Sequence, residues 1–428
     1  MADTHFDPNG PGIDNGRYFG LPFTAEESRL VLLPVGWDVT TSYREGTAKG
    51  PEAIQKASLQ VDLYDPHHPQ GWRQGIGTLS TDESIRTDSK QLRKIAQRVI
   101  EHWENGGSPD GNLLQADLAR INQGSETLNR IVYETSRRWI EAGKKVGIVG
   151  GDHSSPLGAI RAAAEHNPGM GILHIDAHAD LREAYEGFTY SHASIMYNVL
   201  HELPDVSKIV QVGIRDYCDD ELALATTSPR VVQFTDYDLS AGKFEGASWQ
   251  SLCQRIVSAL PEKVYISFDI DGLCPDLCPH TGTPVPGGLT YQEAVYLLVM
   301  LTQSGREIVG FDLCEVAPDP DGTDEWDANV GARMLYKLCN QFGISFAVKC
   351  VAEIQRDDTT SVIQIQTKLL SPSGTPPQTA TQPVGRRIGP RDLCRTGHDS
   401  GQHSGYRRSL SPPVREPPDR RFRPLQTE

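Results

Sequence analysis

The chain has 428 residues, 38% hydrophobic and 23% charged, with a net charge of −15 at pH 7. This composition suits a soluble globular protein with some unstructured sequence, long enough for one large α/β domain or two smaller ones. The acidic balance argues against a general nucleic-acid binder, which needs a basic face for phosphates. No apolar run approaches the roughly 20 residues that span a bilayer, so no membrane partner is expected.

Residues 1–28 form an irregular arm rich in Gly, Pro and Asn. Met1–Gly20 lacks the apolar stretch of a signal peptide. Arg29–Val35 is a short apolar run that predicts a first strand. Gly50-Pro51-Glu52-Ala53-Ile54 reads as a helix start, with Pro where a missing N–H costs little. Residues 65–90 are turn-rich. Two helical patterns fill 90–142, separated by Gly106, Gly107 and Pro109. Apolar, β-branched runs then follow at Lys145–Val149, Gly171–Ile175, Lys208–Ile214, Val231–Phe234, Val264–Phe268 and Glu307–Phe311, with a late run near Ile344–Val351. Helical segments lie between most of them, including Ser155–Glu165, Ala193–Leu203, Tyr291–Ser304 and Asn329–Phe342. Strands alternating with helices predict a parallel sheet covered on both faces.

The expected organisation is an arm over 1–28, a catalytic domain over 29–352, a linker over 353–370 and a tail over 371–428. The tail has ten Arg, no Lys and five acidic residues, a net charge of +5 that leaves −20 for the rest of the chain. Its prolines and scarce apolar residues cannot offset the entropy of ordering, so a disordered extension is expected. The basic alternative is contact with nucleic acid or a membrane surface. Eight scattered cysteines, several in apolar segments, point to reduced thiols and a cytoplasmic location. Cys274 and Cys278 lack the second pair or nearby His of a zinc site, so a structural role is expected.

Three strands run into metal-type ligands. Lys145–Val149 leads into Gly150-Gly151-Asp152-His153, Gly171–Ile175 into Asp176-Ala177-His178-Ala179-Asp180, and Val264–Phe268 into Asp269-Ile270-Asp271. In open α/β sheets the working crevice lies beyond the carboxyl ends of the strands. Alternate residues of extended backbone share a side, so Asp176, His178 and Asp180 can face one place, as can Asp269 and Asp271. Taken singly, an Asp-x-Asp is usually a turn and a Gly-Gly-Asp-His a helix entry. Together, this many carboxylates and imidazoles would repel one another without cations. Oxygen and imidazole donors without a thiolate suit Mn²⁺ or a similar ion, and the ligands exceed what one metal needs.

The motifs GGDH (150–153), DAHAD (176–180), SFDIDGLCP (267–275), TGTPVPGGL (281–289) and FDLCEVAP (311–318) resemble those of the ureohydrolase family, which includes arginase, agmatinase and related amidinohydrolases. The resemblance spans about residues 29–352. It implies a three-layer, doubly wound parallel sheet and a site with two divalent metals. On it, His153 binds one metal and His178 the other, Asp176 and Asp269 bridge, and Asp180 and Asp271 complete the shells. It also implies that Asp180 steers a bridging hydroxide, that His192 shuttles protons, and that Glu315 pairs with the substrate cation. His192 as a capping or core residue, and Glu315 as purely structural, remain alternatives.

Leu181–Tyr190 lacks the polar pattern by which arginases hold the amino-acid end of arginine. The arm over 6–24 and Glu325–Arg333 look similar to the agmatinase-like branch that contains nickel-dependent guanidine hydrolases. Free guanidine is therefore the expected substrate, with Tyr190, Trp326 and the arm closing the pocket, Thr283 and Glu315 beside the substrate, and Mn²⁺ or Ni²⁺ as cofactor. Agmatine and guanidinobutyrate are the alternatives, and Glu183 or Glu186 could receive an ammonium. A metal-binding regulatory subunit without turnover is the reading from a different class, and a one-zinc deacetylase on a related fold a weaker one. By resemblance the chain forms a homotrimer or homohexamer.

Overall fold

The computed structural model describes residues 6–80, 82–108 and 112–357. The tail over 371–428, and the expected linker past Asp357, lie outside the described residues. Eight strands form one sheet: β1 (Leu30–Pro34), β2 (Ile76–Thr78), β3 (Lys145–Val149), β4 (Gly171–Ile175), β5 (Lys208–Val212), β6 (Val231–Phe234), β7 (Lys263–Asp269) and β8 (Glu307–Cys314). Their order is β2-β1-β3-β8-β7-β4-β5-β6, and every pairing is parallel.

Both faces are covered, which is why the strands read as nearly unbroken apolar runs. Leu30 and Leu32 of β1 pack with α1 (Gly50–Ser58), α9 (Tyr291–Gln303) and α10 (Trp326–Asp357), in a layer that α8 (Trp249–Ser258) completes. Val31 and Leu33 point the other way, toward α2 (Glu83–Glu104), α3 (Asn112–Glu141) and α4 (Leu157–His166). Further along that second face, α4 and α5 (Ile195–Glu202) cover Ile172, Ile209 and Val309. Two short helices, α6 (Asp219–Thr227) and α7 (Asp236–Phe244), flank β6. The three-layer, doubly wound architecture expected from the motifs is therefore present.

Three sequence expectations change. β2 lies in the stretch that reads as turns, because a three-residue edge strand shows too little periodicity to register. The run near Ile344–Val351 continues α10, where Ser345 Oγ accepts the Ile308 N–H at 2.8 Å beside β8. α10 itself reaches Asp357, into the first residues of the expected linker.

Candidate metal centre

The three motif loops meet where β3, β4 and β7 end. His153 follows β3 and precedes α4. Gly151 before it lies so close to Trp37 that a Cβ would collide with the Trp37 carbonyl, so only glycine lets the loop lie flat. His153 Nδ1 faces three carboxylates: Asp176 Oδ2 at 2.9 Å, Asp180 Oδ2 at 3.2 Å and Asp269 Oδ2 at 3.2 Å. His178 Nδ1 lies 3.1 Å from Asp271 Oδ2 and 3.5 Å from Asp176 Oδ1. Asp176 thus presents one oxygen to each histidine. Asp269 Oδ2 faces His153, and its Oδ1 accepts the Asp271 N–H at 2.8 Å. All six ligands expected from sequence converge; five are buried and His178 is partly exposed.

Asp180 holds a left-handed backbone, φ 54°, and its carbonyl accepts the Met196 and Tyr197 N–H groups at 3.0 and 3.1 Å. That rare conformation in a non-glycine residue is sustained by the start of α5 and aims the carboxylate into the cluster.

The electrostatics describe a site with too much negative charge. Burial and the neighbouring Asp176 push Asp180 up to about 7. Burial, with Asp271 and Asp176 adding repulsion, holds Asp269 well above the carboxylate range. Burial disfavours a charged His153, yet hydrogen bonds to Asp176, Asp180 and Asp269 hold it well above the ordinary imidazole value. His178 behaves alike: burial opposes its charge, and Asp271 and Asp176 outweigh burial. Protons here stand in for cations. Two donor groupings, His153–His174–Asp176–Asp180 and Asp176–His178–Asp271, have the oxygen and imidazole atoms of divalent-metal sites. The residues present therefore fit divalent cations.

Glu315 follows β8 directly with φ 63°, its N–H bonded to the Gly151 carbonyl at 2.8 Å. Its Oε1 accepts the His153 N–H at 2.9 Å, while Oε2 is buried and has no hydrogen-bond partner. Burial and the charge of Asp152 raise it well above the usual range. His192 sits in a short 3₁₀ turn, Ser42 Oγ 3.5 Å from Nε2 and Ser191 Oγ 3.4 Å from Nδ1. Burial, then the charge of His178, lowers it to about 3, so it is neutral at physiological pH.

A cavity of about 160 Å³ opens over the cluster, lined by Ser42, His178, Asp180, Arg182, Tyr185, His192, Ala193, Asp216, Glu221 and Thr283. Thr283 and His192 are among the lining residues. Tyr190 is not among the lining residues: its ring packs against the layer of α4 and α5, because the turn at Phe188–Ser191 directs it there. Trp326 is 44% exposed and gives its indole N–H to the Asp276 carbonyl at 3.0 Å, tying a loop to α10 instead of closing the cavity. The arm packs elsewhere too, with Tyr18 OH on the Pro51 carbonyl at 3.0 Å and the Phe19 ring tilted against Tyr336, centroids 5.0 Å apart. Glu183 and Glu186 lie off the cavity. Sequence reading missed Arg182 and Tyr185, which form one wall, the guanidinium 4.9 Å from the ring centroid. It also missed His174, whose Nε2 lies 2.8 Å from Asp176 Oδ2. Cys274 and Cys278 are free thiols.

A doubly wound sheet with a His/Asp cluster at its strand ends defines a metal-dependent α/β hydrolase. The chain belongs to the arginase family of ureohydrolases, in its agmatinase-like branch; the family's pattern matches residues 28–340. These enzymes hydrolyse C–N bonds other than peptide bonds. The chain is 33% identical to an N(1)-aminopropylagmatine ureohydrolase of Thermus thermophilus over 295 residues, 69% of this chain and 84% of that protein. It is 27% identical to an agmatinase of Bacillus anthracis, covering 70% of this chain and 87% of the other. The fold superimposes on a hypothetical agmatinase from Burkholderia thailandensis with a TM-score of 0.58 at 22% identity, covering 81% of this chain and 98% of that one. Among the described residues no helix is long and apolar enough to cross a membrane.

Proposed function

We propose that the cluster holds two divalent cations and that the chain releases urea from a guanidino compound carrying a distal ammonium, of the agmatine class. The observation that carries the reading is Glu315 Oε2, a buried carboxylate oxygen without a hydrogen-bond partner among the described residues, set against Gly282, the residue before Thr283 of the cavity wall. A planar guanidinium supplies the charge-assisted hydrogen bond it lacks. On this reading His153, Asp176, Asp180 and Asp269 hold one cation, and His178, Asp271 and the second oxygen of Asp176 the other. Mn²⁺ suits the donors best, and Ni²⁺ is the alternative. Bound there, the cations supply the Lewis acidity that makes water nucleophilic near neutral pH.

The chain's own groups do the rest. Glu315 orients the guanidinium, Asp180 accepts a hydrogen bond from the attacking water, and the buried walls exclude bulk solvent. Water oxygen adds to the guanidinium carbon, the bond from that carbon to the amine nitrogen breaks, and the amine leaves with an added proton. His192, neutral and at the cavity wall, carries protons toward the departing nitrogen. At the cavity mouth Asp216 offers an exposed carboxylate to an ammonium tail. Glu221 is already engaged by the Leu181 and Cys218 N–H groups at 3.0 and 2.9 Å, and by Arg182 Nε at 3.5 Å. Free guanidine is the second reading, favoured by the small cavity and by the like charge of Arg182, which disfavours a cationic tail. By resemblance, a homotrimer or homohexamer is the proposed assembly, read by sedimentation.

The test is urea release from agmatine, guanidine, guanidinobutyrate and arginine by Mn²⁺- and Ni²⁺-loaded protein. Agmatine is expected to exceed guanidine in kcat/KM by about tenfold or more, the effect of about 1.4 kcal/mol at the tail. Guanidine ahead of agmatine with both metals overturns the tail reading. Metal-loaded protein that releases no urea from any of the four overturns the catalytic one.

A further inference from the structure

Directly beneath the cluster, one register of the sheet carries polar side chains in strands that are otherwise apolar. Asp312 of β8 pairs with Ser267 of β7, Ser267 with His174 of β4, His174 with Gln211 of β5, and Gln211 with Gln233 of β6. Asp312, Ser267, His174 and Gln211 are fully buried. Five polar residues across five strands would each cost stability there unless hydrogen bonded.

The bonds run inward from both ends. Gln233 Nε2 donates to Gln211 Oε1 at 2.8 Å, and Gln211 Nε2 donates to the Ala179 carbonyl at 2.7 Å and to His174 Nδ1 at 2.9 Å. A carbonyl only accepts, which sets the orientation of the Gln211 amide. His174 Nδ1 is therefore an acceptor, and its Nε2–H points to Asp176 Oδ2 at 2.8 Å. From the other end, the Ser267 hydroxyl donates to Asp312, 3.1 and 3.0 Å from its two oxygens. Asp312 is anchored by the Phe268 N–H at 3.1 Å. Ser267 Oγ lies 2.9 Å from His153 Nε2, and with its own proton given to Asp312 it accepts the Nε2–H. His153 Nδ1 is then left to face Asp176, Asp180 and Asp269.

We propose that this transverse rung, Asp312–Ser267–His174–Gln211–Gln233, is the device that presets the cluster for its cations. It holds His153 in the tautomer with Nδ1 open and fixes Asp176 between the two histidines. Ser267 and Gln211 are accordingly positioning residues, touching neither substrate nor cation. The inference rests on the two-cation reading of the site. Outer partners of ligating histidines contribute about 10–100-fold in metal affinity.

The test is calorimetric titration of chelator-treated protein with Mn²⁺, together with the visible spectrum of the Co²⁺-loaded protein. Ser267→Ala and the similarly sized Gln211→Met are expected to weaken Mn²⁺ binding about 10–100-fold and to shift the Co²⁺ bands, with circular dichroism unchanged. Ser267→Thr, which keeps the hydroxyl, is expected to restore affinity and spectrum. If Ser267→Ala does not fold, Gln211→Met carries the test from the other end of the rung. Wild-type affinity and an unchanged Co²⁺ spectrum in the folded variants overturn the rung while leaving the two-cation reading standing. A wild-type chain that binds no divalent ion overturns both.

Discussion

Glu315 spends backbone strain and burial to hold one unpartnered oxygen beside the cluster, and a change at that atom isolates its role. Glu315→Gln keeps an acceptor for the His153 N–H but removes the charge. Breaking a buried ion pair costs about 3–5 kcal/mol, so kcat/KM is expected to fall by about two to four orders of magnitude. Mn²⁺ content should stay at the wild-type level, because Glu315 meets the cluster only through a backbone N–H. Coupled assays of urea and metal analysis of the same sample check this; a variant that loses metal would show Glu315 to be part of the ion site. The six cluster residues were legible because each belongs to a motif at a strand end, where polar residues are conspicuous. His174, Ser267, Gln211 and Asp312 were not, since a lone polar residue inside a buried strand reads as an interruption. The available signal was the recurrence of one such residue in each of GILHI, YISFD, KIVQV, VVQF and VGFDL.

At the scale of elements, the motif carrying Thr283 is fixed from outside the sheet. The N–H and Nδ1 of His280 meet the two oxygens of Asp327 at 2.9 Å each, at the start of α10. The Asp327 hydrogen bond raises His280 above the ordinary value of 6.5, with burial opposing and the charges of Asp327, Asp319 and Asp324 adding. The sign follows from linkage: a raised imidazole contributes stability that is complete below its unfolded value near 6.5 and is lost as pH rises through the higher folded value. His280→Asn should therefore be less stable than wild type at pH 5.5–6, and the gap in Tm should narrow toward pH 9. A gap that widens with pH would contradict the pairing. Every strand but β2, and most helices, could be read from the sequence pattern. The long α10 could not be told from a helix followed by a strand, because Ile344–Val351 is mostly apolar, with three β-branched residues. The positions of Trp326 and Tyr190 needed the tertiary structure, since a large aromatic near a motif is equally a pocket wall or a loop anchor.

For the whole molecule, the shared fold and the extension call for different forces. The family's pattern covers residues 28–340, short of the final segment, and the matches span 84% and 87% of two relatives' own length. The segment over 371–428 has a charge of +5 against −20 for the rest, so charge attraction is the association that its composition favours. Exposed charges farther apart than about 8 Å are screened at physiological salt, which makes that attraction weak. Deleting 371–428 is accordingly expected to leave Mn²⁺ content, urea release and sedimentation coefficient at wild-type values, with Tm moved by no more than about 1–2 °C, less than the shift that a loss of 1 kcal/mol produces in a large domain. The comparison should be run at low and at physiological salt. Full-length and truncated chains that differ at low salt and converge at physiological salt would assign the difference to charge. A truncated chain that loses its oligomeric state at both would show that the segment packs through apolar or hydrogen-bonded contacts, and would end its assignment as a dispensable extension.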